Sequence, residues 1–290
     1  MYTQRSYQTE GGKLYLVPTP IGNLEDLTFR AINVLQEVDV ILAEDTRHTK
    51  KLLRHFDIHT PIASHHAHSH PSEINRWIEQ LQEGQSLALV SDAGMPLIND
   101  PGDTLVARAI ALQVDVVPLP GANAALTALI ASGLMRERFT YYGFVPRKKS
   151  EWTELLKLVG NREETAIFYE SPFRIKETVE TMIESLGTDV EVVIARELTK
   201  MYEQFIRGTA QDVLSYLTQQ PIKGEIVLLI QGGTRPAEEV MDWSRLSLKE
   251  HVEVIMKAQN LSSKEAIKQV AQERDIRKQE VYSAYHEIER

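Results

Sequence analysis

The stretch SLALVSDAGMPLINDPG, residues 86–102, decides how the chain folds. Residues 86–90 predict a strand, and an apolar run without alternation implies burial on both faces. Two glycines and two prolines follow between Ser91 and Gly102; they force open turns and let backbone approach a ligand closely. Asp92 or Asp100 suits a ribose hydroxyl or an ammonium group, and Asp100 or Asp103 equally suits a helix cap. A helix is expected over 103–112 and a strand over 115–118.

The same strand–loop–helix unit recurs upstream. KLYLV (13–17) reads as a strand and PTPIGN (18–23) as a tight loop, followed by a helix over 28–37 with Ala31, Val34 and Leu35 on one face. A strand over 38–43 ends in Glu44-Asp45-Thr46-Arg47, and a helix is expected over 49–56. A short strand over 62–63 ends in SHHAHSH (64–70), and a helix over 72–83 carries Ile74, Trp77, Ile78 and Leu81. Repeated β-loop-α units with doubly apolar strands imply a parallel sheet covered on both sides. In such sheets ligands bind outside the carboxyl ends of the strands. TPIGN, EDTR, SHHAHSH and SDAG all fall at those ends, which points to one site.

Downstream, Pro118-Leu-Pro-Gly121 reads as a domain joint and 123–132 as an alanine-rich helix. Strands are expected over 139–144, 165–169, 191–195, 203–208 and 225–231, with helices over 152–158, 174–186 and 210–219. Two extended runs close in sequence, 191–195 and 204–207, suggest a mixed, partly antiparallel sheet. From about residue 237 strands cease, and helices are expected over 248–258, 263–274 and 278–289. Ser262 or Ser263 is a good N-cap there, and the short helices fit a helix-turn-helix bundle. Acids and bases in this tail balance, so a packing or dimerisation appendage suits it as well as nucleic-acid recognition does. The expected division is a flexible tail (1–12), an N-terminal α/β domain (13–118), a C-terminal α/β domain (119–235) and a helical extension (240–290).

The chain has 290 residues, 42% hydrophobic and 25% charged, with no cysteine. That excludes a disulfide framework, a thiolate metal site and a cysteine nucleophile. The first ten residues lack the apolar core of a signal peptide, and no apolar run reaches the ~20 residues that span a bilayer. A cytoplasmic protein with no membrane partner is expected. Lysine plus arginine number 32 against 41 acids, a net charge of −9, which excludes indiscriminate coating of nucleic acid. The bases are nevertheless gathered. Arg47, Lys50, Lys51 and Arg54 recur at i, i+3, i+4, i+7, and Arg147, Lys148 and Lys149 follow the aromatic run 141–144. Both clusters suit phosphate, and both also suit a solvated surface.

No G-x-G-x-x-G or G-x-x-x-x-G-K-[ST] loop is present, so a nucleotide-like ligand must be held some other way. His66, His68 and His70 alternate onto one side of an extended segment. Active-site polar roles or a solvent-facing loop suit them better than a metal, and no metal is expected.

Taken in order, TPIGNLEDLTFRA (19–31), AEDTR (43–47), SDAGMPLINDPG (91–102), PGANA (120–124), GFVPRK (143–148), FYESPFR (168–174), RELTK (196–200) and KGEIVLLI (223–230) resemble the tetrapyrrole methylase superfamily. Within it they resemble the branch that methylates small-subunit ribosomal RNA, over about residues 13–232, and the tail resembles that branch's helical extension. The resemblance implies two α/β domains with a cofactor cleft between them, and a usual homodimer. It also implies S-adenosylmethionine-dependent 2′-O-methylation of a cytidine ribose in the decoding centre of 16S rRNA, within the 30S subunit. Carried over by motif, the cofactor-facing positions are Pro20, Ser91, Asp92, Ala93, Gly94, Ala122, Asn123, Tyr169, Glu170, Ser171, Leu198, Gly224, Glu225 and Ile226. Met95, Asn99, Asn123 and Phe173 depart from the usual threonine, serine, serine and histidine, and Ala67 replaces a usual glutamate.

A base near the ribose hydroxyl would help such a reaction. Asp45, Glu44, Asp26 and His66 are the candidates, each at a strand or loop end on the cleft side, with Arg47 and Lys148 on backbone phosphate. The rivals are a precorrin-type tetrapyrrole methylase and a non-catalytic ribosome-binding factor. FYESPFR, GFVPRK, AEDTR and the tail argue against the first, and the density of cleft motifs against the second.

Overall fold

A computed structural model of the chain describes residues 2–6, 8, 11–66, 70–134, 136–233, 246–259, 261–274 and 276–286. The chain divides into two compact units, 1–234 and 235–290.

The first unit opens with strands β1 (Lys13–Val17), β2 (Val40–Ala43), β3 (Ile62–Ser64), β4 (Leu87–Val90) and β5 (Asp115–Pro118). They form one sheet in the order β3-β2-β4-β1-β5, every pairing parallel. Helices α1 (Phe29–Glu37), α2 (Thr46–His55), α3 (Pro71–Gln82) and α4 (Asp103–Ala111) make the crossovers. Strand periodicity assigns each face. Ile41, Ala43, Ala88 and Val90 pack with α1 and α2, while Leu42, Leu87 and Leu89 pack with α3 and α4. Both faces are covered, so the strands carry apolar residues at every position. β4 and β1 are neighbours whose outgoing connections leave in opposite directions, toward opposite faces, which opens a crevice at their carboxyl ends.

Several boundaries differ from expectation by one to three residues, and at two of them the cause is local. The Val38 N–H bonds back to the Val34 carbonyl and closes α1, so β2 begins at Val40. α2 begins at Thr46 rather than 49, because Asp45 accepts a hydrogen bond from the Arg47 N–H and caps it. The segment before β1 has two side chains on β5: Gln4 bonds both the N–H and the carbonyl of Val116, and the Tyr2 hydroxyl bonds Asp115.

The second sheet holds β6 (Phe139–Phe144), β7 (Thr165–Glu170), β8 (Glu191–Arg196), β9 (Gln204–Thr209) and β10 (Ile226–Gln231), in the order β6-β7-β10-β8-β9. Only β6-β7 is parallel, so the sheet is mixed as expected. Helices α6 (Lys149–Gly160), α7 (Ile175–Leu186) and α8 (Ala210–Gln219) cover one face around Phe168, which is fully buried between Tyr142 and Trp152. α5 (Ala124–Ser132) covers the other, and Ile21, from the loop after β1, joins that second core.

In the second unit α9 (Leu248–Gln259), α10 (Ser263–Glu273) and α11 (Lys278–Tyr285) close on Val252, Ile255, Ile267, Val270 and Val281. Glu265 accepts from both the N–H and the hydroxyl of Ser262 to start α10. Buried His251 lies between Glu273 and Arg274, and burial lowers its pKa. Among the described residues, no helix is long and apolar enough to cross a membrane.

Candidate functional site

Two turns meet at the crevice. The Thr19 and Gly94 backbones exchange hydrogen bonds of 2.9 and 3.0 Å, and the Thr19 hydroxyl donates to the Ser91 carbonyl. Ser91 is buried and donates to the Gly94 carbonyl, so it shapes the turn instead of facing the opening. Asp92 accepts from the Asp45 N–H at 3.2 Å, tying the end of β4 to the start of α2.

Beside these turns lies a cavity of about 490 Å³, walled by the loops after β1 and β4 on one side and by the second sheet on the other. Its walls include Asp92, Ala93, Gly94, Asn123, Tyr169, Glu170, Ser171, Leu198, Gly224, Glu225 and Ile226, most of the expected cofactor positions. Pro20 lines a second cavity of about 400 Å³ that shares Ile21, Asp92, Ala93 and Glu225 with the first. Ala122 lines neither among the described walls, and packs into the core beneath α5. Ile21, Met95, Ile98, Asn99, Phe144, Ala195 and Val227 also face the first cavity and had no assigned role, and Asp100, one of the two aspartates suited to a ribose hydroxyl or an ammonium group, faces it as well. Most are apolar, and apolar lining reads in sequence like ordinary core.

The second half of the wall is held by a small ionic network. Glu197 accepts from the Glu225 N–H at 3.0 Å and pairs with Lys200 at 3.0 Å, and Lys200 also meets Glu225 at 2.8 Å. A backbone bond from Glu225, with Lys200 alongside, lowers the Glu197 pKa. Glu170 is buried, but its oxygens are taken by the Ser171 N–H and the Thr178 hydroxyl, both at 2.6 Å, with Arg174 at 3.5 Å. Arg174 in turn donates to the carbonyls of Val145 and Pro146. Glu170 therefore builds the wall, and its carboxylate is already occupied.

Asn123 caps α5 by accepting from the Leu126 N–H at 3.0 Å, at the cavity edge. Asn123→Ala should cost about 1 kcal/mol of stability in urea unfolding, and Asn123→Ser only a few tenths. Equal stability of all three proteins would show that the cap is not used.

Asp100 is half-buried on the first cavity, and its pKa is pushed up to about 6, by burial first and then by the charges of Glu44 and Asp92. Burial also raises the phenols of Tyr141 and Tyr169 on the facing sheet. Tyr141 donates to Asn99 across the opening.

The four proposed bases fare differently from the cofactor positions. None of Glu44, Asp45, Asp26 and His66 lines either cavity. Asp45 caps α2 and grips Arg47 through both oxygens, which holds its carboxyl well below the usual range. A carboxylate so stabilised is a poor proton acceptor. Asp26 and His66 are exposed. His65 is buried, and burial lowers its pKa; His70 caps α3; His68 lies outside the described residues.

Of the expected phosphate-binding bases, all are exposed, but Arg47, Lys148 and Lys149 already pair with Asp45, Glu151 and Glu184. Exposed pairs of this kind contribute little and exchange readily. Lys50, Lys51, Arg54 and Arg147 have no ion-pair partner among the described residues.

Residues 13–214 match the family Tetrapyrrole (Corrin/Porphyrin) Methylases. The chain is 50% identical over 281 residues to "Ribosomal RNA small subunit methyltransferase I" of Bacillus subtilis, covering 96% of each chain. It is 51% identical over 290 residues to the protein of that name from Halalkalibacterium halodurans, covering 99% of this chain and 100% of the relative. Among solved structures it is similar to uroporphyrin-III-C-methyltransferase from Thermus thermophilus, with TM-score 0.54 and 18% identity over 77% of this chain and 95% of that one. Diphthine synthase is similar with TM-score 0.58 and 14% identity, over 76% of this chain and 90% of that one. At those identities the solved structures speak for the fold alone.

Proposed function

Because the chain belongs to the tetrapyrrole methylase family, we propose that it is an S-adenosylmethionine-dependent methyltransferase acting on the 2′-hydroxyl of a cytidine ribose in the decoding centre of 16S rRNA. What supports this most is the near full-length identity to relatives named for methylating small-subunit ribosomal RNA. A cytoplasmic homodimer acting on the 30S subunit goes with the same reading.

The first cavity suits the donor. Its volume lies in the range of small-ligand sites, about 300–1,000 Å³. Apolar Ile21, Leu198, Ile226 and Val227 suit an adenine ring, and open backbone at Gly94 and Gly224 allows close approach. Asp92 and Asp100 suit the ligand's positive charge. Bound there, S-adenosylmethionine supplies a methyl group already activated on a cationic sulfur. The chain's own task is then alignment and exclusion of water. Asp92 and Glu225 line both cavities, so the rim they share is where a donor in one meets an acceptor in the other. Glu225 is already engaged by Lys200, which leaves Asp92 as the carboxylate at that rim best placed to take up the hydroxyl proton.

A strain lacking the gene tests the reading. The decoding-centre cytidine should lose its ribose methylation and regain it when this chain is supplied. Methylation that persists without the gene, or that the chain fails to restore, would contradict it. Labelled S-adenosylmethionine offered with precorrin separates the rival, which predicts label on the tetrapyrrole.

A further inference from the structure

The second cavity has a lining that the donor does not need. Along α2, His48, Lys51, Leu52 and His55 face it at i, i+3, i+4 and i+7. This face is turned one residue from the basic stripe at 47, 50, 51 and 54, and only Lys51 belongs to both. Leu52 is buried and forms the floor, while the two imidazoles and the ammonium stand exposed. Two cations line this cavity. Lys200 is held by Glu197 and Glu225, whereas Lys51 has no ion-pair partner among the described residues. Charge is therefore divided: an uncompensated cation with two flat polar rings on the α2 wall, and Asp92 with Glu225 on the rim shared with the first cavity.

We infer that this cavity receives a single RNA nucleotide turned out of its strand, with Lys51 on its phosphate, His48 and His55 against its base, and its ribose at the Asp92 rim. Unpaired RNA is recognised through bases splayed out onto flat side chains, histidine included. Enzymes that act on a single base turn that nucleotide out of the stack into a pocket, and a nucleotide of an unpaired segment needs little energy to do so. A volume of about 400 Å³ is in the range of single small-ligand sites. Lysine opposite the reacting end sets which way round the nucleotide enters, and phosphate is the group that needs it. The inference rests on the proposed transfer to RNA.

The test uses the full chain, 30S subunits from a strain lacking the gene, and methyl-labelled S-adenosylmethionine. Lys51 is exposed, so its substitution leaves the core intact. Lys51→Gln should raise the KM for subunits about ten- to a hundredfold, the loss of one charge-assisted contact, with kcat changed far less. Lys51→Arg should recover most of that loss. His48→Ala and His55→Ala should each raise the same KM. Affinity for S-adenosylmethionine, measured by calorimetry, should stay within about twofold for all four variants, since none touches the first cavity. Wild-type transfer with an unchanged KM in Lys51→Gln and both histidine variants would overturn this inference alone. Donor affinity falling in step with the KM would also overturn it, by assigning the second cavity to the donor. No transfer to subunits by the wild-type chain would overturn the RNA reading, and this inference with it.

Discussion

Gly224→Ala is expected to weaken S-adenosylmethionine binding by about a hundredfold and to lower stability by roughly 3 kcal/mol. Gly224 has φ +92°, a conformation that L side chains resist by about 1–2 kcal/mol. A Cβ there would stand 2.3 Å from Glu197 Oε1 and 2.5 Å from its Cγ. Glu197 cannot swing aside freely, because it holds the Glu225 N–H and Lys200. Displacing it loosens Glu225, which lines both cavities, and Ile226, which lines the first. Calorimetric titration and denaturant unfolding measure the two effects. In a Glu197→Ala background the same substitution should cost only the backbone term, about 1–2 kcal/mol. Donor affinity within about threefold of wild type, at unchanged stability, would mean that this close approach does not shape the cavity.

Asp100→Asn should trade function for stability. The Asp100 pKa is pushed up to about 6, above the ~3.9 of an unfolded aspartate. Between those values the folded chain holds the extra proton, so the Asp100 contribution to stability is present at low pH and is lost as pH rises through about 6. Asp100→Asn removes that loss: the variant should be more stable than wild type at pH 7.5, without this slope. Donor binding runs the other way. Ionised Asp100 attracts a cation, so wild-type affinity should fall as pH drops below about 6, by about tenfold at pH 5. Asp100→Asn should bind more weakly at pH 7.5 and lose that dependence. Wild-type affinity flat from pH 5 to 7.5, or an equal slope in the variant, would show that Asp100 does not face the donor's charge.

The first sheet was legible because its strands are apolar at consecutive positions, as Leu87 to Val90 must be when helices cover both faces. The clustering of polar loops at the strands' carboxyl ends located the crevice for the same reason. The second sheet was legible strand by strand but not in order. β10 enters between β7 and β8 through pairings long in sequence, which no local pattern encodes. Motif resemblance picks out Asp92, Gly94, Tyr169 and Gly224, which line the first cavity, whereas Ile21, Ile98 and Val227 line it too and are hidden among core residues of the same type.

Asp45 shows why the candidate bases stand outside both cavities. Its place at the end of a strand was read correctly, but a capping bond and a two-pronged grip on Arg47 are local geometry that residue types do not announce. Leu97 and Asn99, at φ +69° and +67°, bend the loop over the cavity in a way that side chains other than glycine rarely signal. On α2 both 47/50/51/54 and 48/51/52/55 are legitimate helical faces. Burial of Thr49, Leu52 and Leu53 decides that the second turns toward the site.

The most direct test of the account is to map where the label goes. Thirty-S subunits from a strain lacking the gene are incubated with this chain and methyl-labelled S-adenosylmethionine, and the 16S rRNA is then scanned for bonds resistant to alkaline cleavage, the mark of a blocked 2′-hydroxyl. Label is expected at one cytidine ribose of the decoding centre, with resistance at that nucleotide. Label on a base, label spread over many nucleotides, or no label on RNA would contradict it.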